Sequence, residues 1–254
     1  LMHACTGMEI AMIRLILVVL FLIIYYIFSL PMFLVGWIIG KVGGWKKQAL
    51  FSDALVVSAF RVILFLCGTK VTKYGLEHVR HDGPALYVFN HRSYFDILLG
   101  YTTGPKLMGY ISKDDLEHVP LISRWMRYMK CLFLDRNDMK KGLKTILEGI
   151  ELLKEGHSLY IAPEGTRNHG TEMLEFHEAS FKLASKAKVP VIPVAIHGSD
   201  DVWENHLPWL KGCKVSIEYG EPFYIDDLPK EDRKKVGAFT RDKIRKMLDE
   251  HGPQ

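Results

Sequence analysis

Cysteine is scarce and its spacing is wrong for a framework. The chain has four, Cys5, Cys67, Cys131 and Cys213, among 254 residues. None belongs to a C-x-x-C pair, which argues against both a disulfide scaffold and a thiolate zinc site. Free thiols in a reducing compartment are expected. There is no H-E-x-x-H, and His78 and His81 have no accompanying carboxylate or thiol pattern, so no metal is expected. No G-x-S-x-G elbow surrounds Ser93 or Ser199, which argues against a serine hydrolase built on either. Internal repeats and low-complexity tracts are missing as well. Charge of one sign is thin: Lys and Arg number 33, Asp and Glu 29, for a net charge of +4. That is too little for the dense basic stripe of a nucleic-acid binder, so no nucleic acid is expected. It suits a protein working beside anionic lipid or on phosphate-bearing substrates.

Long apolar runs are present, and they are concentrated at the start. Ile10 to Leu30 is apolar apart from Arg14 and the mildly polar Tyr25, Tyr26 and Ser29. A run of about 20 such residues is long enough to span a bilayer. No small-residue cleavage site follows, which distinguishes it from a signal peptide. Pro31 is expected to interrupt the run, which resumes from Met32 to Ile39. Trp37 and Trp45, with Lys41, Lys46 and Lys47, have the character of interfacial anchors. Helical spacing of Leu55, Val56, Ala59, Phe60, Ile63 and Leu64 marks a second helix from about Ser52 to Leu66. The division expected is residues 1–7 as a vector-derived leader, 8–68 as a membrane-associated two-helix motif, and 69–254 as a catalytic domain.

Beyond Gly68 the pattern alternates. Strands are expected at Lys70 to Tyr74, Ala85 to Asn90, Cys131 to Leu134, Ser158 to Ala162, Val189 to His197 and Lys214 to Tyr219. Pro193 marks its strand as bulged or at an edge. Helices are expected from Met139 to Glu155, capped by Asn137 or Asp138 and ended by Gly156, from Phe176 to Ala187, and from Lys230 to Glu250. Strands alternating with helices give an α/β class: a mixed, largely parallel central sheet flanked by helices, preceded by the two-helix motif.

Chemistry-bearing residues cluster where strands end. Asn90-His91-Arg92-Ser93-Tyr94-Phe95-Asp96 follows one strand directly. On a continuous helix, residues five apart point about 140° away from one another. His91 and Asp96 therefore meet only if the chain leaves the strand, turns, and enters a helix near Asp96. A carboxylate on one imidazole nitrogen leaves the other poised to take a proton. Taken alone, the pair reads more readily as a structural histidine and a capping aspartate. Ala162-Pro163-Glu164-Gly165-Thr166-Arg167 follows another strand. Gly165 permits close backbone approach to a ligand, and Arg167 offers a planar fork that fits phosphate. Glu164 has the chemistry to orient Arg167 or to accept a bond from a substrate hydroxyl. Phe133-Leu134-Asp135-Arg136 ends a third strand, and Val191-Ile192-Pro193-Val194 lies within a fourth. Lys113, between Ser112 and Asp114, is by composition an ordinary surface lysine.

Four such blocks, in this order, resemble the glycerolipid acyltransferase family that includes the 1-acylglycerol-3-phosphate acyltransferases. The resemblance covers Lys70 to Tyr224 and the apolar N-terminus. His91 and Asp96 match the family's N-H-x4-D motif; Phe133, Asp135 and Arg136 its second block; Glu164 to Arg167 its E-G-T-R block. The chain departs at Lys130 or Cys131 and at Ala179, where glycine is usual, and at Ala162, where phenylalanine is frequent. The resemblance implies a catalytic dyad of His91 and Asp96 without a covalent acyl-enzyme. It implies substrate binding by Lys113, Arg136, Glu164, Gly165, Thr166 and Arg167, and no cofactor beyond acyl-CoA or acyl-carrier protein as co-substrate. The expected reaction acylates the 2-hydroxyl of lysophosphatidate at the inner face of a plasma membrane, with the helices in the phospholipid bilayer, leaning toward a one-leaflet hairpin. The alternatives are another lysophospholipid or glycerol 3-phosphate as acceptor, or a non-catalytic lipid-binding module.

Overall fold

The computed structural model describes residues 2–135, 138–170 and 172–251. The apolar N-terminus forms one helical run, α1 (Met2–Leu66), broken only at Gly44. There φ is 79° and ψ 169°, a conformation that costs glycine little and any other residue more. The two arms fold back on each other. Gln48 Nε2 donates to the Gly36 carbonyl at 3.0 Å, and at the far end the Arg14 guanidinium packs against Gly68. The break thus falls among the expected glycines, but Pro31 does not interrupt the helix. Proline removes one backbone donor, and the carbonyl it deprives belongs to Ile27, whose side chain is on the exposed face. Contacts on both sides of Pro31 hold the run helical. Trp125 Nε1 donates to Ser29 Oγ at 3.2 Å, and the Phe33 ring packs 4.7 Å from that of Trp125.

Seven strands form one sheet: β1 (Lys70–Tyr74), β2 (Leu86–Phe89), β3 (Met108–Lys113), β4 (Leu132–Leu134), β5 (Ser158–Ile161), β6 (Val191–His197) and β7 (Lys214–Tyr219), in the order β1-β7-β6-β2-β5-β3-β4. Strands β6, β2, β5, β3 and β4 are mutually parallel, and β7 turns antiparallel to β6. The sheet is therefore mixed and largely parallel, as expected. Strand β3, and helix α3 (Ile122–Tyr128) after it, were not legible in the sequence pattern. Pro193 sits in the interior of the sheet, opposite Val88 of β2. The irregularity falls on the partner strand. Val194 faces Tyr219 and Val191 faces Phe223, with two residues between on β6 against three on the partner, so one extra residue bulges between Tyr219 and Phe223. Pro193, which has no N–H to give, accepts there from Gly220 N at 2.8 Å.

Helices cover both faces. Helix α4 (Met139–Lys154) is capped by Asp138, whose carboxylate accepts from the amides of Lys140 and Lys141. With α5 (Lys182–Ala187) and α7 (Val236–His251), it buries Ile150, Leu153, Leu183 and Ile244 against one face. The short α6 (Lys230–Arg233) leads into α7. Helix α2 (Phe95–Thr103), α3 and α1 cover the other, over a layer of Tyr87, Phe89, Tyr110 and Tyr160. Helix α2 lies so close to the sheet that a Cβ on Gly100 would collide with the Tyr110 hydroxyl. Gly100→Val is expected to lower the unfolding free energy by about 1–3 kcal/mol, read by denaturant titration in detergent.

The turn of α1 is locked to the sheet by Trp45, which packs edge-on against His157 at 5.6 Å. His157 is fully buried. Burial, with Lys130 and Lys46 nearby, pushes its pKa down to about 4. The unfolded chain therefore takes up this proton near pH 6.5 while the folded protein refuses it until about pH 4. Stability from this group is complete above pH 6.5 and falls with pH through that window, by about 3 kcal/mol in all. His157→Phe is expected to flatten the fall in melting temperature between pH 7 and pH 5.

Candidate active site

The parallel strands set the place of the site. The carboxyl ends of β2, β5, β3, β4 and β6 lie on one edge of the sheet, where open α/β sheets collect their ligands. His91 follows β2, Lys113 closes β3, Asp135 follows β4 and Glu164 follows β5. Arg136, expected beside them, lies outside the described residues.

His91 and Asp96 meet. Asn90 ends β2 by bonding β6 twice, its Nδ2 donating to Ile196 O at 2.8 Å and its Oδ1 accepting Ile196 N at 2.9 Å. The chain then turns and α2 begins at Phe95, placing Asp96 in its first turn. His91 Nδ1 donates to Asp96 Oδ2 at 2.8 Å. The same oxygen accepts the amides of Arg92 and Ser93, at 2.8 and 2.9 Å. Asp96 is fully buried, whereas the His91 side chain is 21% exposed. With its Nδ1 proton held by Asp96, the imidazole carries its lone pair on Nε2. That is the arrangement of a general base whose tautomer is fixed from behind.

The E-G-T-R loop grips the histidine from the other side. Glu164 Oε1 accepts the His91 amide at 2.9 Å, and the His91 carbonyl accepts Asn168 N at 2.7 Å. Glu164 Oε2 accepts Asn168 Nδ2 at 3.1 Å and the Leu174 amide at 2.9 Å. Glu164 is buried, so its carboxylate serves the loops themselves. It does not pair with Arg167, which faces Glu204 Oε1 at 3.6 Å and stacks 3.9 Å from the Tyr94 ring. Gly165 has a φ of +80°, and its amide donates to Ala162 O at 3.1 Å. Thr166 is exposed beside it. Lys113, 60% exposed, pairs with Asp115.

Ser93 is no nucleophile: its Oγ donates to Glu204 Oε2 at 2.7 Å and accepts Phe95 N at 2.9 Å. Arg92 is drawn away from the dyad to Asp200, with Nε and Nη2 at 3.1 and 2.7 Å from one oxygen. Burial opposes ionisation of Asp200, but the Arg92 bonds outweigh it and hold the carboxyl below its ordinary value. Glu204, Asp200 and Asn168 carry no motif, and the first two reach the site only because β6 ends beside β2. Among the described residues, no group of three or more His, Cys, Asp or Glu side chains is placed to hold a metal. Cys67, Cys131 and Cys213 are free thiols.

The chain is similar to known acyltransferases in sequence and in fold. A family model described as Acyltransferase matches residues 70–197, half of the chain. The 1-acyl-sn-glycerol-3-phosphate acyltransferase of Saccharomyces cerevisiae is 27% identical over 206 residues, covering 80% of this chain and 66% of that protein. The enzyme of the same name from Borreliella burgdorferi is 23% identical over 198 residues, 78% of this chain and 79% of its own length. In fold, the chain is similar to the crystal structure of the 1-acyl-sn-glycerophosphate acyltransferase PlsC from Thermotoga maritima. The TM-score is 0.72 at 23% identity, over 91% of this chain and 98% of that one.

Proposed function

The chain belongs to the acyltransferase family, and from that premise we propose that it moves a fatty acyl group from a thioester, acyl-CoA or acyl-carrier protein, to the 2-hydroxyl of lysophosphatidate. The observation that carries the reading is the 2.8 Å contact between His91 Nδ1 and a fully buried Asp96. His91 Nε2 takes the hydroxyl proton as the oxygen attacks the thioester carbonyl. The tetrahedral intermediate collapses, the C–S bond breaks, and the thiolate leaves with the proton returned by His91. No acyl-enzyme forms.

Arg167, Arg136 and Lys113 serve the acceptor phosphate, and Thr166 lines their approach. Glu164 supports the loops in place of contacting substrate. The outer face of α1, with Ile13, Leu20, Ile24 and Ile27 exposed, is long and apolar enough to cross a membrane. It keeps the acceptor's acyl tail in the bilayer while the headgroup reaches the sheet edge. We place the protein at a plasma membrane with the catalytic domain on the cytoplasmic side.

The test is an acceptor panel. Initial rates with lysophosphatidate, glycerol 3-phosphate and lysophosphatidylcholine are measured with one labelled acyl thioester. Lysophosphatidate is expected to be preferred by at least about tenfold, the discrimination worth roughly one charged contact. Preference for an acceptor without the phosphate monoester would overturn the assignment.

A further inference from the structure

Glu204 lies outside every recognised motif, in a short 3₁₀ turn, Glu204–His206, beyond the end of β6. Its side chain is only 6% exposed. Oε2 accepts Ser93 Oγ at 2.7 Å and Oε1 accepts the Tyr94 amide at 2.9 Å. Ser93 passes that hold onward, since its own amide donates to Asp96 Oδ2 at 2.9 Å. One carboxylate thus fixes the turn that aims Asp96 at His91.

The same Oε1 stands 3.6 Å from Arg167 Nη1. That separation is beyond a hydrogen bond, so Glu204 acts on Arg167 as a charge. The Arg167 guanidinium lies over the Tyr94 ring at 3.9 Å. Stacking uses the face of the guanidinium, and its N–H donors remain in the plane, where an anion is met. A nearly buried carboxylate needs compensation, and Arg167 supplies it. The loop that delivers the dyad and the loop that delivers the phosphate-binding arginine therefore share one anchor.

We propose that Glu204 is a positioning residue that couples acceptor-phosphate binding at Arg167 to the alignment of the His91–Asp96 dyad. The proposal rests on the acyl-transfer reading above. Glu204 touches no reacting atom. It holds Arg167 from behind so that the incoming phosphate meets a fixed guanidinium, and it holds the 93–96 turn in register with it.

Steady-state kinetics on four proteins test this: wild type, Glu204→Gln, Arg167→Ala and the double variant. Glutamine keeps the shape and an acceptor for the turn but removes the charge. Glu204→Gln is expected to raise KM for lysophosphatidate about tenfold while leaving KM for the acyl thioester unchanged, the effect of losing one charged contact. In the Arg167→Ala background, the same change is expected to raise the acceptor KM no further. Equal rises in both backgrounds, a rise in both substrates' KM, or no rise at all would each overturn the proposal. If Glu204→Gln does not fold, Ser93→Ala serves, since it removes the Oγ through which Glu204 and the Phe95 amide hold the 93–96 turn and leaves Arg167 alone. Its kcat is expected to fall with the acceptor KM unchanged, and the reverse pattern overturns the proposal. A wild type that acylates no lysophosphatidate removes the acyl-transfer reading and the proposal together. An active wild type with the wrong pattern removes the proposal alone.

Discussion

His91→Ala is expected to cut acyl transfer to lysophosphatidate by about 10³- to 10⁴-fold while leaving the melting temperature near that of the wild type. The large kinetic effect follows from the imidazole's place. Its Nδ1 is fixed by a buried carboxylate while the ring stays partly exposed. The small structural effect follows from its exposure. The ring meets Phe89 edge-on at 5.5 Å, and the loop around it is held by backbone bonds to Glu164 and Asn168 that do not involve the imidazole. Rates in detergent, set beside thermal unfolding of the same preparations, check both halves.

Asp96→Asn is expected to lower kcat by about 10³-fold or more, with the acceptor KM near the wild-type value. Asp96 Oδ2 is an acceptor three times over, for His91 Nδ1 and for the amides of Arg92 and Ser93. An asparagine oxygen in that place can keep all three bonds, and its NH₂ then takes the buried place of Oδ1, which has no hydrogen-bond partner. What is lost is the negative charge that stabilises the imidazolium formed when Nε2 takes the hydroxyl proton. Asp96→Ala does something different. It leaves the two buried amides without their acceptor, at about 1–3 kcal/mol each, so it is expected to lose stability as well as turnover. Comparing kcat and melting temperature across the two variants separates the role in catalysis from the role in folding the turn.

Much of this site was legible because its residues sit immediately after short apolar strands. His91 after β2 and Glu164 after β5 needed only the assumption that the two strands run parallel, and they do. The meeting of His91 with Asp96 was implied by the family resemblance; helix geometry by itself only forbids it on a continuous helix and allows it across a strand–turn–helix junction. Lys113 was placed between blocks without an element because β3, Met-Gly-Tyr-Ile-Ser-Lys, lacks clean alternation. Parallel pairing to β5 and β4 makes it a strand, which is information held in other parts of the chain. Pro31 misled for a similar reason: intrinsic preference ends a helix there, but packing of Ser29 and Phe33 on Trp125 continues it. Glu204 was invisible. It acts on residues 110 and 111 positions earlier, and no local pattern carries a contact of that range.

The most direct test of direct transfer by the dyad is intact-protein mass spectrometry on wild type quenched during turnover, with labelled product counted in the same sample. Phosphatidate should accumulate from acyl thioester and lysophosphatidate while the protein keeps its unmodified mass throughout. A protein heavier by one acyl group, or a sample without phosphatidate from either acyl-CoA or acyl-carrier protein, would contradict the account.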